Sequence, residues 1–188
     1  MTLLIVGLLV WIFAHLFKRI FPDLRQKINN RGEKFTKAFL SLLITIAVIL
    51  IIIGYRHAPN VIIYDPPTFL KHLTPTFMLF AVYVFGLSVA KKNKVWLASK
   101  IRHPQLTAVK IWALAHLCSN GDLASLILFG ALLVWSIFSV VLINRAEENL
   151  KLPLQVSVRY ELLYALAVII LFGLAIWVHT LLGVNPFG

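Results

Sequence analysis

The sequence predicts an all-α integral membrane bundle of about six transmembrane helices, with both termini on the non-cytoplasmic side. Three observations support this. The 188 residues are 60% hydrophobic and 13% charged, with a mean hydropathy of +0.88, whereas a soluble domain is nearer half apolar and a quarter charged. Apolar runs of helical-span length recur along the whole chain. Lys and Arg fall almost entirely in alternate loops. In a soluble protein a net charge of +11 would suggest nucleic acid. In a chain this oily the membrane accounts for it, and no nucleic-acid partner is expected.

A spanning helix needs about 20 mostly apolar residues. The first segment, 2–20, has no basic n-region and no small-x-small cleavage site before Lys18, so it reads as a retained helix and not a signal peptide. The second, 37–55, is the oiliest. The third, 72–90, carries Pro75 near its start, where an amide has no intrahelical partner to lose. The fourth, 104–119, is opened by Pro104 and closed by Asn120-Gly121. The fifth is 122–144 and the sixth 157–182. No soluble domain, low-complexity tract or long linker interrupts them, so residues 1–188 form a single domain. The one cysteine, Cys118, excludes an intrachain disulfide.

The loop after segment 1 carries Lys18, Arg19, Arg25, Lys27, Arg31, Lys34 and Lys37. The loop after segment 3 carries Lys91, Lys92, Lys94, Lys100 and Arg102, and the loop after segment 5 carries Arg145, Lys151 and Arg159. The opposite side carries only Arg56 and Lys71. The positive-inside rule then places the three basic loops in the cytoplasm, where anionic lipid headgroups are their generic partner. The expected location is the bacterial inner membrane.

Polar residues within oily segments mark candidate function. Arg102-His103-Pro104 suits a helix start at the headgroups, or an anionic headgroup or cofactor site. Lys110 can snorkel to the cytoplasmic interface. In Ser119-Asn120-Gly121-Asp122, either Asn120 or Gly121 can end a helix in the left-handed conformation, and Asp122 can cap the next. His15 and His116 lie inside segments, each with a tryptophan four residues earlier, Trp11 and Trp112, on the same helix face. The small neighbours Ala14, Ala113 and Ala115 leave room for a flat group. Such a histidine can bond a neighbouring helix, or two on facing helices can hold haem iron. His57, His72 and His179 fall at the outer interface near Asp65, as ordinary interfacial residues or as a zinc or copper site. No nucleophile–base pair, phosphate loop or carboxylate pair stands out, and Glu147 and Glu148 read as solvated.

The stretch "IRHPQLTAVKIWALAHLCSNGDLASLILFG" resembles the signature of the NnrU family of membrane proteins: Arg-His-Pro, Trp-Ala-x-Ala-His-Leu, Asn-Gly-Asp-Leu-Ala-Ser and Leu-Phe-Gly. The likeness extends to the N-terminal helix ending in His15, the basic linker, the helix ending Gly54-Tyr55, and the last helix with His179 before "LLGVNP". Residues 56–100 match in hydropathy only. The resemblance implies a denitrification-associated role, supporting nitrite and nitric oxide reductase activity. It also implies a redox-dependent carotene cis–trans isomerase-like activity, because the domain is shared with 15-cis-zeta-carotene isomerase. That enzyme holds haem b through two histidines, which correspond here to His15 and His116. Asn120 and Asp122 would then shape the pocket, and a hydrophobic polyene or a nitrogen oxide would be the ligand.

Depth sets a condition on that pair. His15 lies about one turn from the inner end of its helix, and His116 about one turn from the outer end of its own. The two meet if the Asn-Gly-Asp turn lies within the bundle or if the first helix runs past Lys18. Otherwise His103 is the nearer partner of His15. Arg102-His103-Pro104 also resembles the motif with which membrane methyltransferases of the isoprenylcysteine type hold S-adenosylmethionine, and "RAEENL" at 145–150 resembles their acidic motif. However, Leu106 stands where those enzymes have Tyr, and their Phe-Gly-x-x-Tyr pattern is missing. A cofactor-free transporter or assembly factor is the third class.

Overall fold

The computed structural model describes residues 1–29, 32–90, 94–146 and 155–185. Arg31, Lys91, Lys92, Glu147, Glu148, Lys151 and most of the 145–150 motif lie outside the described residues. The chain folds as α1 (Thr2–Ile20), α2 (Pro22–Asn29), α3 (Glu33–Arg56), α4 (Thr68–Gly86), α5 (Trp96–Lys100), α6 (Pro104–Ser119), α7 (Leu123–Ala146) and α8 (Val158–Leu181). One isolated antiparallel bridge joins Ile62 to Asp122.

The all-α membrane class holds. Among the described residues, α3, α4, α7 and α8 are each long and apolar enough to cross a membrane. A fifth span is counted if α1 and α2 form one bent span. Helix α6 has 16 residues, just below the roughly 17 that a span needs. Two short helices were not expected. Helix α2 follows a break at Phe21 and is opened by Pro22, with Asp23 in its first turn and Lys27 in its last, each charge at its favourable end of the helix dipole. The amide of Trp96, which opens α5, donates to the Glu161 carboxylate on α8 at 2.8 Å. Both helices are too short and polar to register in an apolar-run reading.

Two helices start earlier than their apolar runs. Helix α3 begins at Glu33, which pairs with Lys37 one turn on at 2.7 Å, with the acid on the favourable N-terminal side. Helix α4 begins at Thr68, which puts Pro75 in its interior and not in its first turn. Pro75 has no N–H to give the Lys71 carbonyl. Beside it the buried Thr74 hydroxyl lies 3.0 Å from the Leu70 carbonyl and 3.3 Å from the Ala115 carbonyl. Thr74 therefore ties α4 to α6 at the prolyl break.

Helix α1 packs on α3 and α7, α6 lies between α4 and α7, and α8 rests on α4. The α1–α3 seam is a backbone contact. A Cβ on Gly54 would collide with the Leu4 backbone, and one on Gly7 would sit 2.8 Å from the Ile51 amide nitrogen. Small residues at such crossings let helices approach closely where lipid supplies no hydrophobic drive. The main core joins Leu4, Leu8 and Leu16 of α1 to Ala113 of α6 and to Leu128, Phe129, Leu132 and Trp135 of α7. At one end of the bundle, the start of α1, the end of α3, the α6–α7 turn and the start of α7 come together. At the other end, His103 before α6 meets Asn144 near the end of α7.

Substituting two glycines should give opposite results. Gly54→Ala drives a methyl into the Leu4 backbone and should lower the thermal midpoint of the detergent-solubilised protein. Gly130→Ala adds a methyl where nothing lies within 4 Å and removes a helix-interior glycine, worth roughly 1 kcal/mol, so its midpoint should stay level or rise. A Gly54→Ala midpoint equal to wild type would contradict the close α1–α3 contact.

Candidate functional site

The site is organised by the break between α6 and α7. Neither Asn120 nor Gly121 adopts the left-handed conformation expected from the sequence. Asn120 is extended (φ −123°, ψ 112°), and the positive-φ residues are Gly32 and Gly183. Glycine is required at 121 for another reason: a Cβ there would collide with the Tyr64 carbonyl oxygen. The segment 61–64 lies directly on the turn. The amides of Ile63 and Tyr64 donate to the Gly121 carbonyl at 2.8 and 3.1 Å, and the Leu123 amide donates to the Val61 carbonyl at 2.8 Å. The Tyr64 hydroxyl donates to the carbonyls of Leu117 and Asn120. Desolvation, then Cys118 and Asp122, raise the pKa of that hydroxyl, which keeps it a donor.

Asp122 caps α7 as the sequence suggested. Its carboxylate accepts from the Ser125 amide at 2.9 Å and from the Ser125 hydroxyl at 2.6 Å. The Ser125 oxygen lies 2.8 Å from the Tyr55 hydroxyl on α3. Asn120 spends its side-chain N–H on the His116 carbonyl at 2.9 Å. Asn120 therefore fastens the end of the helix that carries His116, and Asp122 the start of α7.

His15 and His116 have matching local geometry. The Nδ1 of His15 lies 2.9 Å from the Trp11 carbonyl, and that of His116 lies 2.9 Å from the Trp112 carbonyl. A carbonyl only accepts, so each Nδ1 carries a proton, and in the neutral ring each Nε2 keeps its lone pair. That is the state a metal-binding imidazole requires. It is not peculiar to these two, since His57 and His179 bond Ile53 and Ala175 in the same way. What distinguishes the histidines is what surrounds them.

Helix α7 forms a common wall for the pair. The His15 ring packs on Trp11 at 4.1 Å and edge-on to Trp135 at 5.1 Å. The His116 ring stacks on Phe129 at 4.3 Å, and Trp112 also meets Phe129. From Phe129 to Trp135 is six residues, about 9 Å along α7. His103, 2.8 Å from Asn144, is level with a residue nine places beyond Trp135, about 14 Å further. The structure therefore sets His15 nearer in depth to His116 than to His103. Arg102 and His103 lie in the extended stretch before α6, and Lys110 is half-buried on α6.

Two cavities adjoin. One, of about 180 Å³, lies between α4, α6 and the end of α8 and is lined by Lys71, Thr74, His116, Asn120 and His179. The other, of about 370 Å³, lies between α1, α4, α6 and α7, with Trp11, Trp112, Leu132 and Trp135 in its wall. Met78 and Val82 line both. The sequence reading placed His179 among the outer histidines. The structure brings it to the His116 cavity and leaves His57 and His72 outside it. Among the described residues, no three His, Cys, Asp or Glu side chains gather as a metal site. Phe129 and Trp135 were missed because α7 is apolar all round and offers no periodic face to read.

A family model described as "NnrU protein" matches residues 3–186. No curated protein and no solved structure matches the chain. The cap geometry predicts that Asp122→Asn, which keeps a good capping side chain, holds the thermal midpoint near wild type. Asp122→Ala should lose about 1–2 kcal/mol of stability, seen as a lower midpoint. Equal midpoints for the two variants would contradict the capping role.

Proposed function

The chain belongs to the NnrU family, and from that premise we propose that it is a six-span protein of the bacterial inner membrane that binds haem b through His116 and a second histidine. In this reading α1 and α6 complete the set of spans, the basic loops face the cytoplasm, and both termini lie outside. The observation that carries the reading is the state of His116. Its ring is fixed by the Trp112 carbonyl and the Phe129 face. Its Nε2 keeps a lone pair, and the residue lines a cavity within an apolar bundle.

The residues fit the group in three respects. Haem iron could be held by a pair of imidazoles, so no cluster of three ligands would be needed. The adjoining cavities have mainly apolar walls with three tryptophans, which suits a flat macrocycle. The resemblance assigns the second ligand to His15, whose ring is fixed in the same manner, by the Trp11 carbonyl and the Trp135 ring. When bound, haem b would supply a one-electron redox couple. The chain's part is to hold both imidazoles in the neutral tautomer, to exclude water with Trp11, Trp112, Phe129 and Trp135, and to fix His116 through the Asn120–Asp122 turn. Of the roles the resemblance implies, the apolar cavity lined by the three tryptophans, next to the one that His116 lines, favours the isomerase-like one, with a polyene as the partner. His103 is engaged by Asn144, which favours a helix-start fastening over a methyltransferase site.

The test is the visible spectrum of the detergent-purified protein, oxidised and reduced, from cells supplied with haem precursor. Wild type should carry about one haem per chain with sharp reduced bands. His116→Ala should lose the haem, and His15→Ala should lose it or change its spectrum. A colourless wild type would overturn the haem reading.

A further inference from the structure

We propose that His179 of α8, and not His15, is the second histidine that holds the haem iron with His116. The inference rests on the haem reading above and names the partner of His116 within it.

A shared space carries it. His116 and His179 stand in the wall of one cavity, between α4, α6 and the end of α8. The two rings are near enough for a charge on one to act on the other. His116 lies three residues before the end of α6 at Ser119, and His179 two residues before the end of α8 at Leu181. Each therefore sits in the last turn of its helix, and the common cavity brings the two ends together. His15 lines neither this cavity nor the larger one beside it. Its ring lies against Trp11 at 4.1 Å and Trp135 at 5.1 Å.

His179 is prepared in the same way as His116. Its Nδ1 lies 2.7 Å from the Ala175 carbonyl, so Nδ1 carries a proton, and in the neutral ring Nε2 keeps its lone pair. Three other polar side chains of the wall already donate to the backbone: Thr74 to Leu70, Ser119 to Ala115 and Asn120 to His116. The cavity is thus left with imidazole lone pairs from two different helices, which one shared electrophile would satisfy. The wall has no Asp or Glu among the described residues and includes Lys71. That suits iron carried in a macrocycle with its own carboxylates better than a bare dication, which favours carboxylate ligands and is repelled by an ammonium. Met78 and Val82 continue from this wall into that of the larger apolar cavity, so the apolar body of such a group has lining on both sides of them.

The experiment reads low-temperature electron paramagnetic resonance and the midpoint potential of the haem-loaded full chain in wild type, His179→Ala, His179→Met and His15→Ala. His179→Ala should exchange the low-spin bis-imidazole signal for a high-spin one, and added imidazole should restore it. His179→Met should show a midpoint potential above that of wild type, because histidine–methionine ligation raises it. A side chain that only packs would leave the potential where it was. His15→Ala should keep a bis-imidazole signal and shift only its visible bands. A bis-imidazole signal that persists in His179→Ala, or is lost in a haem-bearing His15→Ala, would overturn the assignment and leave the haem reading standing. If His179→Ala fails to load haem, the His179→Met potential decides, and a value equal to wild type would overturn the assignment. A colourless wild type would instead sink the haem reading and this assignment with it.

Discussion

The structure depends on one constraint: where the chain breaks between two packed helices, the backbone groups that the break exposes must find partners. Between α6 and α7 those partners come from residues 61–64. Backbone bonds to Gly121 and Leu123 and the Tyr64 hydroxyl on the Leu117 and Asn120 carbonyls close the turn from above. Asp122 and Ser125 close it from below and link it to Tyr55 on α3. The break needs glycine because another backbone lies against it, and not because the turn is left-handed. His116 stands one helical turn before this fastened point, so the position of its ring is set by the same bonds that allow the break.

Helix α7 converts that fixed point into a layered interior. Phe129 receives His116 and Trp112, while Trp135 receives His15 and Trp11. Each histidine is thus held between its own upstream tryptophan and an aromatic ring of α7. The close α1–α3 crossing at Gly7 and Gly54 fixes the height of α1, and with it the height of His15. The α7 rings that receive the two imidazoles, Phe129 and Trp135, are six residues, about 9 Å, apart along the helix. The cavities lie beside this aromatic layer, one more polar around His116 and His179, the other apolar around the tryptophans.

Much of this was legible in the sequence because the bilayer imposes a simple code. Apolar runs located every long helix, and Pro104, Asn120 and Asp122 marked the ends of the helix that carries His116. Starts built from polar residues were not legible by hydropathy, as Glu33 with Lys37 and Thr68 ahead of Pro75 illustrate. The Trp–His spacing pointed to His15 and His116 and to the face they share with their tryptophans. It carried nothing about α7, whose apolar residues surround it on all sides, so Phe129 and Trp135 could not be singled out. Nor could the pairing of His116 with His179 at one cavity, because it depends on how α8 leans on α4 and not on any local pattern.

The central claim is that His116 is an iron ligand held ready by its surroundings. Electron paramagnetic resonance of the haem-loaded ferric protein at low temperature tests it most directly. The account predicts a low-spin signal of bis-imidazole type in wild type, replaced in His116→Ala by a high-spin signal or by none, in a protein that retains its thermal midpoint. A low-spin signal that is the same in wild type and His116→Ala would contradict it.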